Sequence, residues 1–174
     1  MEKICMEGCN RHYMRADFRE FCWDQVLLGK KRVEIWGAVP QLFIDHHGYQ
    51  DAEKMKWILD EHGLVCSAFT PKTYRYNLGS GDSQVRAWSL SYFEECIKAA
   101  AVLGAGRMLI YVPAVIRDGD WERAEEIFAE NMECLAEYAA DYHISLAAGG
   151  SNAFAADLPE YRRLMEKIKN PSVK

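Results

Sequence analysis

Cysteine and histidine residues near the amino terminus are the first groups in this sequence that could do chemistry. Cys5, Cys9 and His12 lie close together in the chain, and thiolate and imidazole groups together bind zinc. Their spacing matches no standard structural zinc motif, and no fourth ligand is evident. The pattern therefore favours thiols packed on a first strand, with His12 facing the mouth of the domain.

Three other polar stretches also suggest chemistry. Asp45, His46 and His47 could offer an imidazole to a metal or a substrate, but neighbouring residues rarely converge on one ion, so a solvated loop is favoured. The Gly79–Ser83 run lacks the lysine of a phosphate-binding loop and better fits a helix-capping turn. The glutamates of residues 122–137 are most simply the solvated face of a helix.

Composition narrows the class of protein. A chain of 174 residues suits a single domain, 1–174, with a sizeable core. The net charge of −5 argues against a nucleic-acid surface, and no apolar run approaches the ~20 residues that span a bilayer. The start of the chain lacks the apolar core of a secretory signal. The six scattered cysteines fit reduced thiols. We therefore predict a cytoplasmic protein without nucleic-acid or membrane partners.

The stretch Arg86–Pro113 indicates which elements position these groups. Apolar residues recur there at three- and four-residue steps, which predicts a helix that ends at Gly104. Met108–Val112 is then a near-continuous apolar run, typical of a strand covered on both faces in a parallel sheet. Such strands are joined by helical crossovers, so the stretch predicts an α/β fold.

The whole chain reads as five strand–helix units. Strands are predicted at 3–6, 32–36, 64–69, 108–112 and 144–148, and helices at 17–28, 51–62, 86–103, from 118 or 120 to 142, and 158–168. If the strands lie in sequential order, right-handed crossovers place every helix on one side of the sheet. The other, apolar face then needs a cover. Two architectures remain open, a doubly wound sheet and a partial (β/α)8 barrel.

Four segments resemble a known family. VEIWGAVPQLFIDHH, AFTPKTYRYNLGSGDSQVR, YFEECIKAAAVLGAGRMLIYVP and AEYAADYHISLAAG are similar to the sugar-phosphate isomerase/epimerase family of xylose-isomerase-like TIM barrels. The resemblance runs from the first strand to Lys174. It implies sequential parallel βα units, and hence a partial, truncated TIM barrel with about the first five of eight units.

The resemblance also implies a divalent metal, manganese, magnesium or zinc, at the carboxyl-end mouth of the barrel. The family holds it with a Glu ending strand five, an Asp and a His around strands six and seven, and a Glu ending strand eight. Here Gly149, or Ala148 with a one-residue shift, stands at the strand-five position, and no carboxylate lies between His143 and Asp157. The remaining ligands would fall after Lys174. We therefore predict no catalytic residue, no metal ligand and no cofactor bound by this chain alone.

Binding of a sugar or sugar phosphate is what the resemblance implies for the mouth. Trp36 could stack on a sugar ring, and Gln41 stands where the family often has a histidine, so it can form hydrogen bonds but cannot titrate. Thr70, Asn77 and Arg86 could contact a hydroxyl or a phosphate. Three of these residues have a structural alternative: packing for Trp36, a turn for Asn77 and an ion pair for Arg86. The predicted substrate-binding residues are His12, Trp36, Gln41, Thr70, Asn77 and Arg86.

Two functions remain. The resemblance favours a metal-dependent sugar isomerase, epimerase or lyase that takes its metal ligands from another chain or from residues absent here. The missing strand-five Glu favours a non-catalytic half-barrel module. The uncovered face of such a module predicts a homo-oligomer that buries well over ~1,000 Å².

Overall fold

Residues 7–73, 75–111, 121–149 and 158–173 are described by the computed structural model of the chain. The strands in these ranges are β1 (Gly8–Cys9), β2 (Arg32–Gly37), β3 (Phe43–Asp45), β4 (Gly48–Gln50), β5 (Val65–Pro71), β6 (Arg107–Tyr111) and β7 (Ser145–Gly149). The helices are α1 (Phe18–Leu27), α2 (Ala52–Glu61), α3 (Ser83–Leu103), α4 (Trp121–Ala140) and α5 (Leu158–Lys167). Among these helices, none has the length and apolar character that crossing a bilayer requires.

The main sheet confirms the sequential strand order. Its five strands lie in the order β1-β2-β5-β6-β7, and each neighbouring pair is parallel. Consecutive helices pack on one another from α1 to α5 in a single layer. This is the order of a barrel wall, and the doubly wound alternative is excluded because it requires the strand order to reverse.

One face of the sheet, here called the outer face, lies against the helices and forms the core. Side chains alternate along each strand, and every outer-face residue named here is buried: Val33, Ile35, Cys66, Phe69, Met108, Ile110, Leu146 and Ala148. The helices contribute aromatic and aliphatic partners such as Phe21, Phe93 and Phe128. The outer face therefore accounts for most of the apolar burial.

The opposite, inner face is more polar than the sequence analysis predicted. The strand register places these side chains on it: Cys9, Glu34, Trp36, Ala68, Thr70, Leu109, Tyr111, Ala147 and Gly149. Trp36 and Thr70 are buried, whereas the others are half-buried. The prediction of an apolar inner face was wrong in this respect, because Glu34 and Thr70 interrupt it.

Element boundaries follow local capping. Asp17 accepts a hydrogen bond from Arg19 N at 2.8 Å and begins α1, as predicted. Asp82 caps α3 in the same way, so this helix begins three residues before the predicted Arg86. Gly104 ends α3 with φ of 79°, a left-handed conformation that glycine adopts at low cost. The predicted strand at 3–6 lies outside the described residues, and β1 is found at Gly8–Cys9.

Two further elements were not predicted. Residues 37–50 were expected to form a loop, but they contain the antiparallel hairpin β3–β4, with His46 and His47 at its turn. After α5, the chain returns to the edge of β7, where Leu146 N donates to Ser172 O at 3.2 Å and Val173 forms a parallel bridge with Leu146. Val173 thus adds one isolated parallel bridge at the edge of β7.

Glu125 corrects the prediction of a fully solvated acidic face on α4. Its side chain is 2% exposed and accepts hydrogen bonds from Arg163 at 2.6 Å and Lys167 at 2.9 Å, both on α5. Burial opposes its ionisation, but these two cations hold the pKa of Glu125 below its ordinary value. The ion network joins α4 to α5.

Candidate functional site

The carboxyl ends of β2 and β5 bring two predicted site residues together on the inner face. Trp36 pairs with Thr70 in the strand register. Thr70 Oγ1 donates to Glu34 Oε1 at 2.6 Å, and the Arg11 guanidinium carbon lies 5.8 Å from the Trp36 ring centroid. We call Glu34, Trp36 and Thr70 the inner-face patch. It combines an aromatic surface with a carboxylate and a hydroxyl, which are groups that contact sugars.

Asn10, which the sequence analysis missed, holds this patch in place. Its buried side chain accepts from Trp36 N at 2.7 Å and donates to Gln41 Oε1 at 2.6 Å. Gln41 Nε2 in turn donates to Tyr13 O at 2.9 Å and Ala16 O at 3.3 Å. The Gln41 amide therefore joins the loop after β1 to the loop after β2, and its contact with a sugar stays a prediction. An asparagine directly after a short strand was the available signal.

The amino-terminal Cys and His residues do not form a metal centre in the described part of the chain. Cys5 lies outside it, and His12 is exposed at the end of a short 3-10 helix, Asn10–His12. Burial, with the Glu34 carboxylate nearby, raises the pKa of the Cys9 thiol. Across the described ranges, no three or more Cys, His, Asp or Glu side chains are grouped so that they could hold a metal ion.

Asn77 and Arg86 organise the loop that precedes α3. Asn77 Oδ1 accepts from Gly79 N at 2.9 Å, while Arg86 Nη1 donates to the carbonyls of Ser80 at 2.8 Å and Gly81 at 2.9 Å. Both side chains thus have backbone partners away from the inner-face patch. Their predicted contacts with a hydroxyl or phosphate remain predictions.

A cleft of about 400 Å³ lies between the hairpin, the loop after β5 and α3. Apolar groups form one part of its wall: Gly37, Ala38, Val39, Leu42, Phe43 and Ile44. Tyr76 and Tyr92 form another, with rings stacked at 3.7 Å and 6°. Asp45, His46, Lys72 and Arg75 supply the polar part. We call this space the rim cleft.

Charges of both signs act on the Tyr76 hydroxyl in the rim cleft. Burial raises its pKa, the Asp45 carboxylate adds to this effect, and the Arg75 guanidinium opposes it. The hydroxyl is therefore protonated at neutral pH and can donate a hydrogen bond. His47 is solvated as predicted, whereas His46 is half-buried and lines the cleft, with its ring 5.9 Å from that of Trp88.

Strand five of the sequence analysis is β7 in the structure, and its last position lacks the carboxylate that the family resemblance implies. Gly149 ends β7, and a Cβ atom placed there would lie 2.9 Å from Tyr111 Cδ1 and 3.2 Å from Leu109 Cδ1. These side chains occupy the space that a longer residue at this position needs. The end of β7 thus provides neither a carboxylate nor room for one in this packing.

Comparison with known proteins agrees with this geometry. A family model described as xylose isomerase-like TIM barrel matches residues 28–174. Fructoselysine 3-epimerase of Shigella flexneri is 30% identical over 129 residues, which cover 68% of this chain and 44% of that protein. The same enzyme of Escherichia coli O157:H7 matches with the same identity and coverage.

Solved structures show the same fold. The apo 3-keto-D-glucoside 4-epimerase from E. coli has a TM-score of 0.79 at 16% identity and covers 99% of this chain and 67% of its own. D-Psicose 3-epimerase, solved in the presence of D-fructose, has a TM-score of 0.73 at 17% identity and covers 97% of this chain and 62% of its own. The chain spans less than half the length of the curated relatives it matches. It belongs to the xylose isomerase-like TIM barrel family, among sugar isomerase- and epimerase-like proteins.

Proposed function

We propose that this chain is the substrate-binding part of a sugar epimerase or isomerase barrel, with the sugar on the inner-face patch. The relatives are named for epimerisation of a 3-keto-glucoside at carbon 4, and of psicose and fructoselysine at carbon 3. In these sugars the inverted carbon adjoins a carbonyl, so its proton is acidic enough for an enzymic base to remove. A keto sugar is the substrate class that we infer.

The inner-face patch is the observation that supports this proposal. It lies at the carboxyl ends of parallel strands, where barrel enzymes of many kinds bind substrates. Trp36 is 9% exposed, with the Arg11 guanidinium over its ring, and the accessible part of the indole would contact the apolar face of a sugar ring. The half-buried Glu34 carboxylate, which accepts from the buried Thr70 hydroxyl at 2.6 Å, offers an oriented acceptor to sugar hydroxyl groups.

The described residues supply only part of an epimerisation site. Inverting a carbon requires a base on one face and an acid on the other, whereas Glu34 carries the one carboxylate among the described inner-face strand residues. The metal that the family implies does not fit the end of β7, because Gly149 has no side-chain ligand atom and Tyr111 occupies the space where a side chain would lie. The second acid–base group and any metal ligands would come from residues outside those described or from another chain.

Sugar binding tests this proposal directly. The purified chain is titrated with D-psicose and D-fructose while ¹H–¹⁵N spectra are recorded. The Trp36→Ala variant should bind roughly tenfold more weakly, because it loses the aromatic contact. Trp57→Ala is the matched control, since Trp57 is 54% exposed on α2 in the helix layer. Equal affinities for wild type and Trp36→Ala would contradict the proposal.

The second candidate is a non-catalytic half-barrel that self-associates. It is supported by the half-buried Leu109, Tyr111 and Ala147 on the inner face, which a second copy of the chain would cover. Sedimentation at micromolar concentration should then show a dimer or larger assembly. A well-folded monomer would contradict self-association, and sugar turnover with stoichiometric manganese or zinc would contradict the non-catalytic role.

A further inference from the structure

We infer that the exposed apolar face of α1 binds a second copy of this chain, with the two α1 helices antiparallel. Val26 and Leu27 follow Trp23 by three and four residues, so the three side chains lie on one face of the helix. Trp23 is 58% exposed, Val26 39% and Leu27 68%. We call these residues the α1 stripe. The inference concerns the helix layer, and it depends neither on sugar binding nor on what covers the inner face.

The α1 stripe gives this helix apolar residues on two opposite faces. The other face packs into the core through Phe18, Phe21 and Cys22. A helix that is apolar on all sides is typical of a buried element, whereas a surface helix has a polar outer face. By contrast, the exposed side chains of the neighbouring α2 are mainly charged: Glu53, Lys54, Asp60 and Glu61. We therefore expect a partner to cover the stripe.

Further helices of the barrel wall would leave the stripe exposed. Helices in this layer pack side by side in chain order, and α1 contacts α2. The Arg19 guanidinium carbon lies 4.7 Å from the ring centroid of Trp57 on α2, and Arg19 also forms an ion pair with Glu61 at 2.6 Å. Trp23 follows Arg19 by four residues and shares its face, so the stripe lies on the α2 side of α1. A helix that closes a barrel would pack on the other side.

The charges beside the stripe favour an antiparallel pair of α1 helices. Glu20 is exposed in the first turn of α1, and Lys31 is exposed just after the helix ends. A two-fold axis through the middle of the stripe would bring Glu20 of each copy toward Lys31 of the other. Antiparallel helices also place the positive end of each dipole beside the negative end of its neighbour. A parallel pair would instead bring like charges together.

The area of the stripe agrees with the requirements of a dimer. From the exposed fractions, the stripe presents on the order of 300 Å² of side-chain surface per chain. Two copies would bury roughly 600 Å² of it, and because about 60% of an interface is apolar, the whole interface would approach ~1,000 Å². This is the lower limit for a stable dimer, so we expect dissociation in the micromolar range.

Sedimentation equilibrium of the intact 174-residue chain at micromolar concentrations tests this inference. Wild type should form a dimer. Trp23→Glu should weaken dimerisation roughly 30-fold or more, because it replaces the largest apolar group of the stripe by a charge. Trp88→Glu is the matched control, since Trp88 is a similarly exposed tryptophan on α3. This control should leave dimerisation unchanged.

Charge reversal tests the antiparallel arrangement, and it decides the question even if Trp23→Glu proves unfolded by circular dichroism. Glu20→Lys should weaken dimerisation roughly tenfold, because two symmetric contacts with Lys31 become repulsive. The double variant Glu20→Lys, Lys31→Glu should regain the affinity of wild type, because both contacts are again between opposite charges.

The outcomes separate this inference from the functions proposed above. Loss of the dimer in Trp23→Glu supports the inference whether or not the chain binds a sugar. A wild-type monomer at these concentrations overturns it. A dimer that Trp23→Glu leaves unchanged also overturns it, and leaves the inner face as the surface of self-association. A double charge variant that stays as weak as Glu20→Lys overturns the inferred antiparallel pairing.

Discussion

The two faces of the five-stranded sheet differ in what they contain and in how far they are covered. The outer face is a continuous layer of buried aliphatic and aromatic side chains against five helices. The inner face mixes Glu34, Thr70 and Trp36 with both small and larger apolar residues, and most of its side chains are half-buried. We infer from this difference that stability depends mainly on the outer face, whereas the groups able to bind a ligand lie in the inner-face patch and in the rim cleft.

The largest expected effect tests the outer face. Phe69 is fully buried there, and its ring leaves no space for a side chain at Gly37. Phe69→Ala should lower the free energy of unfolding by about 3–5 kcal/mol, because it removes apolar burial and leaves a cavity. Leu109→Ala, on the half-buried inner face, should cost about 1 kcal/mol. Equal losses in urea unfolding would show that the inner face is as closely packed as the outer one.

The next effect concerns the ion network behind the outer face. Glu125→Gln should cost about 2–3 kcal/mol, because Arg163 and Lys167 lose a buried charged partner. The pKa of Glu125 is lower in the folded than in the unfolded chain. Its contribution is therefore complete above the ordinary carboxyl pKa of about 4.3 and is lost as pH falls through that range to the lower folded pKa.

Urea unfolding at several pH values measures this contribution. Between about pH 5 and pH 3 the wild type should lose more stability than Glu125→Gln, and the two curves should approach each other. Glu126→Gln is the matched control on the same helix, since its partner Arg123 is exposed and the pair lies at the surface. A constant difference between wild type and Glu125→Gln across this range would contradict the assignment.

A smaller effect tests how closely the end of β7 is packed. Gly149→Ala should cost about 1–2 kcal/mol, because the added methyl group meets Tyr111 and Leu109. In the Tyr111→Ala background the same substitution should cost much less. A double-mutant cycle in thermal unfolding measures this coupling. Additive effects of the two substitutions would show that Tyr111 does not occupy the space beside Gly149.

The smallest effect lies within the inner-face patch. Thr70→Val removes the hydroxyl that donates to Glu34 at 2.6 Å and should cost about 1 kcal/mol. The same substitution should change sugar affinity if the patch binds the sugar, since the Glu34 carboxylate loses its orientation. Thr73→Val, on the loop after β5, serves as the control. Unchanged sugar affinity in Thr70→Val would limit the hydroxyl to a role in stability.

Local sequence signals predicted most of the elements. Asp17 as a helix cap and Gly104 as a helix end are features that depend only on neighbouring backbone groups. The hairpin β3–β4 was missed because its strands are three residues each, too short for an alternation pattern to appear. The buried Glu125 was missed because its cations come from α5, far along the chain.

The candidate site was predicted only in part. Trp36 was expected at the end of its strand and Thr70 in the loop directly after the next strand, and the parallel register pairs the two residues. Asn77 and Arg86 were expected near them, but their observed partners are groups of their own loop and of α3. The rim cleft was not predicted, because its walls come from a hairpin and a loop that meet only in the folded chain.

The sequence by itself determined the repeated βα units, the buried strands and the resemblance to the family, because these depend on periodicity and on motifs along the chain. Only the tertiary structure decided that Asn10 and Gln41 join two loops, that Tyr111 lies against Gly149, and that Asp45 and Arg75 line the same cleft. Such contacts join residues far apart in sequence, and their geometry is set by strand register and by the packing of loops. No local sequence pattern predicts these contacts.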